Sequence, residues 1–248
     1  MAAMEKVDIL GVPVDRIDME GALARVKELL DTEGLSAIYT PNSEMVVCAV
    51  KDKEFMDILR SGDLVVPDGI GVVYASRIYG HPLPERVAGF DLMVGMLEML
   101  GREGRSIYLL GGKPGIAEKA ADNISRRFPG LKVKGTWHGY FKEGEVPGIV
   151  EHINSSGAEV LFVALGSPKQ EKWIHSNRDR LRVRIAMGVG GSFDVLAGEA
   201  VRAPAFFRKA GLEWFYRLVT QPWRAARMLS LPVFVIKVLA DSRRRGKK

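Results

Sequence analysis

The chain has 248 residues, 47% of them apolar, with 36 Lys and Arg against 30 Asp and Glu for a net charge of +6. That length and composition supply a large buried core, which excludes a mostly disordered chain. A single cysteine, Cys48, excludes an internal disulfide, and the four histidines at positions 81, 138, 152 and 175 offer no zinc-ligand spacing with it.

The first eight residues meet charge before an apolar run can begin, unlike a secretory signal, so a cytoplasmic location is expected. Residues 7–14 read as a small hairpin. Apolar, β-branched runs at 36–40, 64–66, 106–110, 131–136, 159–165 and 184–189 read as strands. Between them lie helical patterns at 19–31 (behind an Asp18 cap), 43–60, 69–79, 89–103, 114–128, 145–156 and 168–180. Strands alternating with helices predict an α/β fold, with a Rossmann-like, mostly parallel sheet flanked by helices.

A boundary is expected near 198–204, dividing a catalytic domain over 1–200 from a helical, basic appendage over 201–248. The appendage carries twelve Lys and Arg against two Asp and Glu, a net +10, and leaves residues 1–200 at a net −4. It also holds seven of the twenty aromatic residues. A helix over 205–218 would align Phe206, Ala210, Trp214 and Leu218 on one face, with Arg217 in the apolar arc. Gly211, Pro222 and Pro232 read as punctuation between short helices. The uncharged run at 228–236 is nine residues long, well short of the about 20 needed to cross a bilayer. Basic and aromatic residues together mark a segment drawn to anionic membrane surfaces, and they also suit a subunit interface, so a homo-oligomer is a second expectation.

In open α/β sheets, ligands bind beyond the carboxyl ends of the strands. Four loops there are rich in small and polar residues: Thr40-Pro41-Asn42-Ser43-Glu44, Pro67-Asp68-Gly69-Ile70-Gly71, Gly166-Ser167-Pro168-Lys169-Gln170-Glu171 and Gly188-Val189-Gly190-Gly191-Ser192-Phe193-Asp194. Each leaves backbone N–H groups able to meet phosphate oxygens, although the same residue types serve ordinary turns. The Gly111-Gly112-Lys113-Pro114-Gly115 loop is a weaker candidate. Asp68 fits either a helix N-cap or a rigidly held general base. Arg86 fits either an ion pair with Glu85 or Asp91, or a bidentate diphosphate contact.

Several signatures are missing. No complete dinucleotide glycine fingerprint, Walker lysine or Gly-x-Ser-x-Gly elbow is present, and no Asp-x-Asp pair offers a divalent cation a seat. No cofactor or metal is therefore expected. His138 reads as a structural histidine. A nucleotide-dependent Rossmann enzyme and a nucleic-acid-binding module remain the competing classes, the first weakened by the incomplete fingerprint.

Taken together the loops resemble the motif series of the WecG/TagA/CpsF glycosyltransferases, which are also called glycosyltransferase family 26. The likeness extends through Glu85-Arg86-Val87-Ala88-Gly89, Arg202-Ala203-Pro204, the run from Gly211 to Leu218, Pro222 and Arg224, in order along about residues 8–228. The resemblance implies an inverting transferase that moves a sugar from a UDP donor to polyprenyl-diphosphate-linked N-acetylglucosamine. It points to the subgroup that uses UDP-N-acetylmannosamine to make a β-1,4 linkage, with the uronic acid and glucose as other donors. Wall teichoic acid or a related cell-surface polysaccharide is the implied product. Carried over by position, the resemblance gives Asp68 as base and Thr40, Asn42, Arg86 and Gln170 as substrate-binding residues. Arg217 and Arg224 are expected to fold over the sheet edge onto a diphosphate, on a protein peripheral to the inner face of the cell membrane.

Overall fold

The computed structural model describes residues 4–204, 206–207, 215–216 and 230–245. Strands β1 (Lys6–Ile9) and β2 (Val12–Asp15) pair antiparallel through a tight turn at Leu10 and Gly11, forming the expected hairpin. The hairpin is tied to the main sheet by Asp15, whose carboxylate is fully buried and accepts the Val65 N–H at 2.7 Å. Burial raises the proton affinity of Asp15, against the opposing pull of that N–H and of Lys6.

Six strands form one parallel sheet: β3 (Ser36–Tyr39), β4 (Leu64–Val65), β5 (Ser106–Gly111), β6 (Lys132–Trp137), β7 (Val160–Ala164) and β8 (Ile185–Gly188). Their spatial order is β4-β3-β8-β7-β5-β6. Every residue of β3, β5, β7 and β8 is buried, which is why these strands read as continuous apolar runs. Alternate side chains feed two cores. Tyr39, Tyr108, Leu110, Leu161, Val163 and Ala186 face one, and Ile38, Ile107, Leu109, Phe162 and Met187 face the other.

Helices α1 (Met19–Leu30), α2 (Ser43–Lys51), α3 (Lys53–Arg60), α4 (Ile70–Ile78), α5 (Gly89–Arg102), α6 (Ile116–Arg127), α7 (Val146–Ser156), α8 (Lys169–Ser176) and α9 (Ser192–Leu196) cover both faces. Asp18 caps α1 as expected, accepting the Gly21 N–H at 2.8 Å. The single helix expected over 43–60 is two. Asp52 leaves helical geometry (φ −117°, ψ 102°), and its carboxylate caps α3 by accepting the Phe55 N–H. Apolar periodicity continues across that break, so the pattern hides it. The helix expected over 168–180 stops at Ser176, with Asn177 as its C-cap.

Pro232, read as punctuation, stands at the start of a helix, and residues 217–229 before it lie outside the described residues. It lies in the first turn of α10 (Ser230–Arg245), where a missing N–H costs nothing. Helix α10 packs on α2 and α4 and buries Phe234 and Val238 in the first core. Its far end is held by Arg245, which pairs with Asp8 and Asp241 and stacks on the Tyr79 ring. The helix expected over 205–218 falls largely outside the described residues. Of its positions, 206–207 and 215–216 are helical, and Phe206 is exposed.

Candidate active site

The sheet order creates a crevice. Neighbours β3 and β8 send their following helices to opposite faces, α2 to the first core and α9 to the second. The chain therefore parts at their carboxyl ends, between Thr40–Asn42 on one side and the Gly188–Ser192 loop on the other, which is where ligands of open α/β sheets bind. The loop after β4 lies one strand further out and brings Asp68 to the same rim.

Asp68 is not a helix cap. The N-cap of α4 is Gly69, and no side chain caps it. Asp68 instead receives Arg86, whose Nη2 lies 3.3 Å from its Oδ1, with both side chains about a quarter exposed. The two carboxylates the sequence offers Arg86 have other partners: Glu85 accepts the Met19 N–H at 2.8 Å, and Asp91 receives both Arg202 Nη atoms at 2.6 and 2.7 Å. The loop is set by backbone bonds, Asp68 N–H to the Pro41 carbonyl and Val87 N–H to the Pro67 carbonyl. These join the segments after β3 and β4 and the segment before α5 at one point.

Thr40 and Asn42 belong to this group. The Asn42 side-chain oxygen caps α2 by accepting the Met45 N–H at 3.0 Å, which leaves its amide N–H groups as the part able to meet a ligand. Gly89, at the start of α5, faces Thr40 and Asp68: a Cβ there would lie 3.0 Å from Thr40 Oγ1 and 3.4 Å from Asp68 Oδ2. The sequence reading did not single Gly89 out, because closeness of backbone to side chain leaves no local pattern. Arg202 is part of the family likeness, but its partner Asp91 was not foreseen. Its bidentate pair with Asp91 and its stacking 4.5 Å from the Phe90 ring fix the segment after α9 against the first turn of α5.

Gln170 stands apart from the group around Asp68. Its side chain is buried at 4% exposure, and both ends of the amide are engaged: Oε1 accepts the Gly190 N–H at 3.0 Å, and Nε2 donates to Glu171 Oε1 at 2.8 Å. It bridges α8 to the β8 loop. His138 accepts the Tyr140 N–H through Nδ1. Arg217 and Arg224 lie outside the described residues. Among the described residues no group of three or more His, Cys, Asp or Glu stands close enough to hold a metal ion.

Gly89→Ala tests the closeness at Asp68. An alanine at a first helical position suits the backbone and improves helix propensity, which offsets the crowding against Thr40, so the melting temperature should change little. Turnover should fall about tenfold, because the methyl group presses Thr40 and Asp68 out of position and a small misplacement is costly in a preorganised site. Steady-state kinetics alongside a thermal melt would show it. Unchanged turnover would place the reacting groups elsewhere.

Residues 7–248 match the model of the glycosyl transferase WecG/TagA/CpsF family. The chain belongs to that family. It is 36% identical over 217 residues to a Bacillus subtilis (strain 168) protein named N-acetylglucosaminyldiphosphoundecaprenol N-acetyl-β-D-mannosaminyltransferase, covering 88% of this chain and 84% of the relative. A Bacillus spizizenii protein of the same name is 38% identical over 218 residues, with the same coverage. A Staphylococcus aureus (strain MRSA252) protein of that name is 33% identical over 245 residues, covering 98% of this chain and 95% of the relative. The chain is thus a glycosyltransferase of the WecG/TagA/CpsF family, and the loops that carry the resemblance in the sequence are the ones the sheet gathers at the crevice.

Proposed function

We propose that this chain transfers N-acetylmannosamine from UDP-N-acetylmannosamine to the N-acetylglucosamine of an undecaprenyl-diphosphate-linked acceptor, forming a β-1,4 bond with inversion. The reading is carried by the near full-length likeness to transferases of that name. Wall teichoic acid or a related surface polysaccharide is the product such a step would serve.

Asp68 is the base. Inversion in one displacement needs a group that takes the acceptor hydroxyl proton on the face opposite the departing UDP. A carboxylate at the strand-end rim, held by backbone bonds, suits that role. Arg86 meets Asp68 at 3.3 Å with both side chains partly exposed, and the direct contact of such a pair contributes about 1 kcal/mol or less. A diphosphate, as a bidentate anion, can compete with Asp68 for the Arg86 guanidinium. Thr40 and the Asn42 amide offer further hydrogen bonds to sugar or phosphate. In this reading arginines, including Arg217 and Arg224, stabilise the leaving diphosphate, and no divalent cation takes part.

Purified protein given the lipid-linked acceptor and a panel of UDP-sugars, with and without chelator, tests this by product mass. The expected product carries one added N-acetylhexosamine, forms from UDP-N-acetylmannosamine in preference to the uronic acid or glucose donors, and forms equally under chelation. Transfer from another donor alone would contradict the donor assignment, and loss under chelation the metal-free chemistry.

The acceptor's lipid requires a meeting at the bilayer surface. No helix among the described residues is long and apolar enough to cross a membrane. Helix α10, however, turns Val235, Ile236 and Leu239 outward beside the exposed Arg243 and Arg244, and apolar side chains flanked by arginines suit an interfacial helix. Ile236→Asp with Leu239→Asp should abolish flotation with anionic vesicles while leaving the melting temperature unchanged. Flotation equal to that of the unaltered protein would remove α10 from the docking surface.

A further inference from the structure

Glu171 is the least expected group in the molecule. It follows Gln170 in the first turn of α8, is 1% exposed, and its Oε2 has no hydrogen-bond partner among the described residues. A buried carboxylate with few hydrogen bonds is destabilising compared with an apolar side chain of similar size. Burial accordingly raises its proton affinity, opposed by the Gln170 N–H and, more weakly, by its own backbone N–H and Ser167. The shortest bond the carboxylate receives is the 2.8 Å one from Gln170 Nε2.

That bond settles which way round the Gln170 amide lies. A buried glutamine amide has two orientations related by a half turn, and its neighbours choose between them. As a carboxylate Glu171 can only accept, so its Oε1 takes the N–H2 end, and the Gly190 N–H, which can only donate, takes the other. The oxygen is then left facing Gly190, whose N–H it accepts at 3.0 Å. The half-turned amide would set N–H2 against the Gly190 N–H, two donors facing each other. Gln170 can lie there only because position 188 is glycine, since a Cβ at Gly188 would sit 2.5 Å from Nε2.

We propose that Glu171 is a positioning residue: by accepting from Gln170 it fixes the amide that pins the Gly190 N–H, and so holds the Gly188–Gly191 wall of the crevice in the shape that receives the UDP-sugar donor. The donor part rests on the function proposed above, while the pinning of the loop does not.

The test compares unaltered protein with E171L, E171Q, Q170L and the double variant E171L/Q170L. UDP affinity is measured by calorimetry, donor KM and kcat by steady-state assay, and Gly190 amide exchange by NMR. E171L should weaken UDP binding and raise donor KM on the order of tenfold, the scale of one lost hydrogen bond, with kcat changed less than about threefold. Its melting temperature should be no lower than that of the unaltered protein, because an uncompensated buried carboxylate has gone. E171Q, which keeps an acceptor oxygen, should fall between the two. The double variant should be no worse than the poorer single variant, since both changes break one chain of bonds. Gly190 exchange should quicken in E171L. Unaltered UDP affinity in E171L, or penalties that add fully in the double variant, would overturn the role. If Gly190 exchange quickens in E171L while the unaltered protein shows no UDP binding, the positioning stands and the donor reading falls.

Discussion

Asp68→Asn should lower kcat by about three orders of magnitude, within the range for loss of a general base, while UDP binds no more weakly than before. The reason lies in what asparagine keeps and what it loses. It has the shape of aspartate and retains a side-chain oxygen that can accept from Arg86 Nη2, now 3.3 Å from Oδ1, so the loop between β4 and α4 need not move. It cannot take a proton from the acceptor hydroxyl as that oxygen closes on the sugar. It also removes a negative charge from the rim where a diphosphate must sit, so the affinity for UDP holds or rises. The measurement is kcat on the lipid-linked acceptor, paired with UDP calorimetry and a melt. Turnover within about tenfold of the unaltered protein would show that another group takes the proton.

The second large effect concerns stability. Gly111 ends β5 opposite Ala164 of β7, at φ +131°, and a Cβ there would come within 2.4 Å of the Ala164 carbonyl oxygen and 2.5 Å of its carbon. Both obstacles are backbone in the middle of the sheet, where no side chain can turn aside. The next N–H, of Gly112, bonds that same carbonyl at 3.0 Å, so forcing the strands apart also breaks a ladder bond. Gly111→Ala should destabilise by about 4 kcal/mol or prevent folding. Gly115 provides the comparison. It too has positive φ, +86°, but a Cβ there meets open space, so Gly115→Ala should cost only the left-handed strain of about 1 kcal/mol. Urea unfolding of the two variants measures the difference, and equal losses would contradict the packing account.

That contrast shows what the sequence could and could not convey. The loop from Gly111 to Gly115 reads as a weak phosphate cradle, yet Gly111 is glycine because β7 passes against it. The strand runs were legible because burial on both faces removes polar residues from β3, β5, β7 and β8, a local signal. The small and polar loops were legible for the same reason. Pairing was not. Arg86 and Asp68 are 18 positions apart, and the choice of Asp68 over Glu85 and Asp91 depends on Met19 and Arg202 having claimed the others. Asp52 did carry a signal, an N-cap residue ahead of an apolar run, but the unbroken periodicity of 43–60 outweighed it. Gln170 was reached through the family resemblance, and burial gives its amide to Gly190 and Glu171, which no one-dimensional pattern records.

The stereochemistry of a single turnover bears most directly on the claim that Asp68 deprotonates the acceptor in one displacement. Protein in excess over UDP-N-acetylmannosamine and the undecaprenyl-diphosphate acceptor analogue, quenched and examined by NMR, should give a β-linked disaccharide with UDP released in equal amount. An α-linked product, or a sugar held covalently on the protein before acceptor is added, would contradict it.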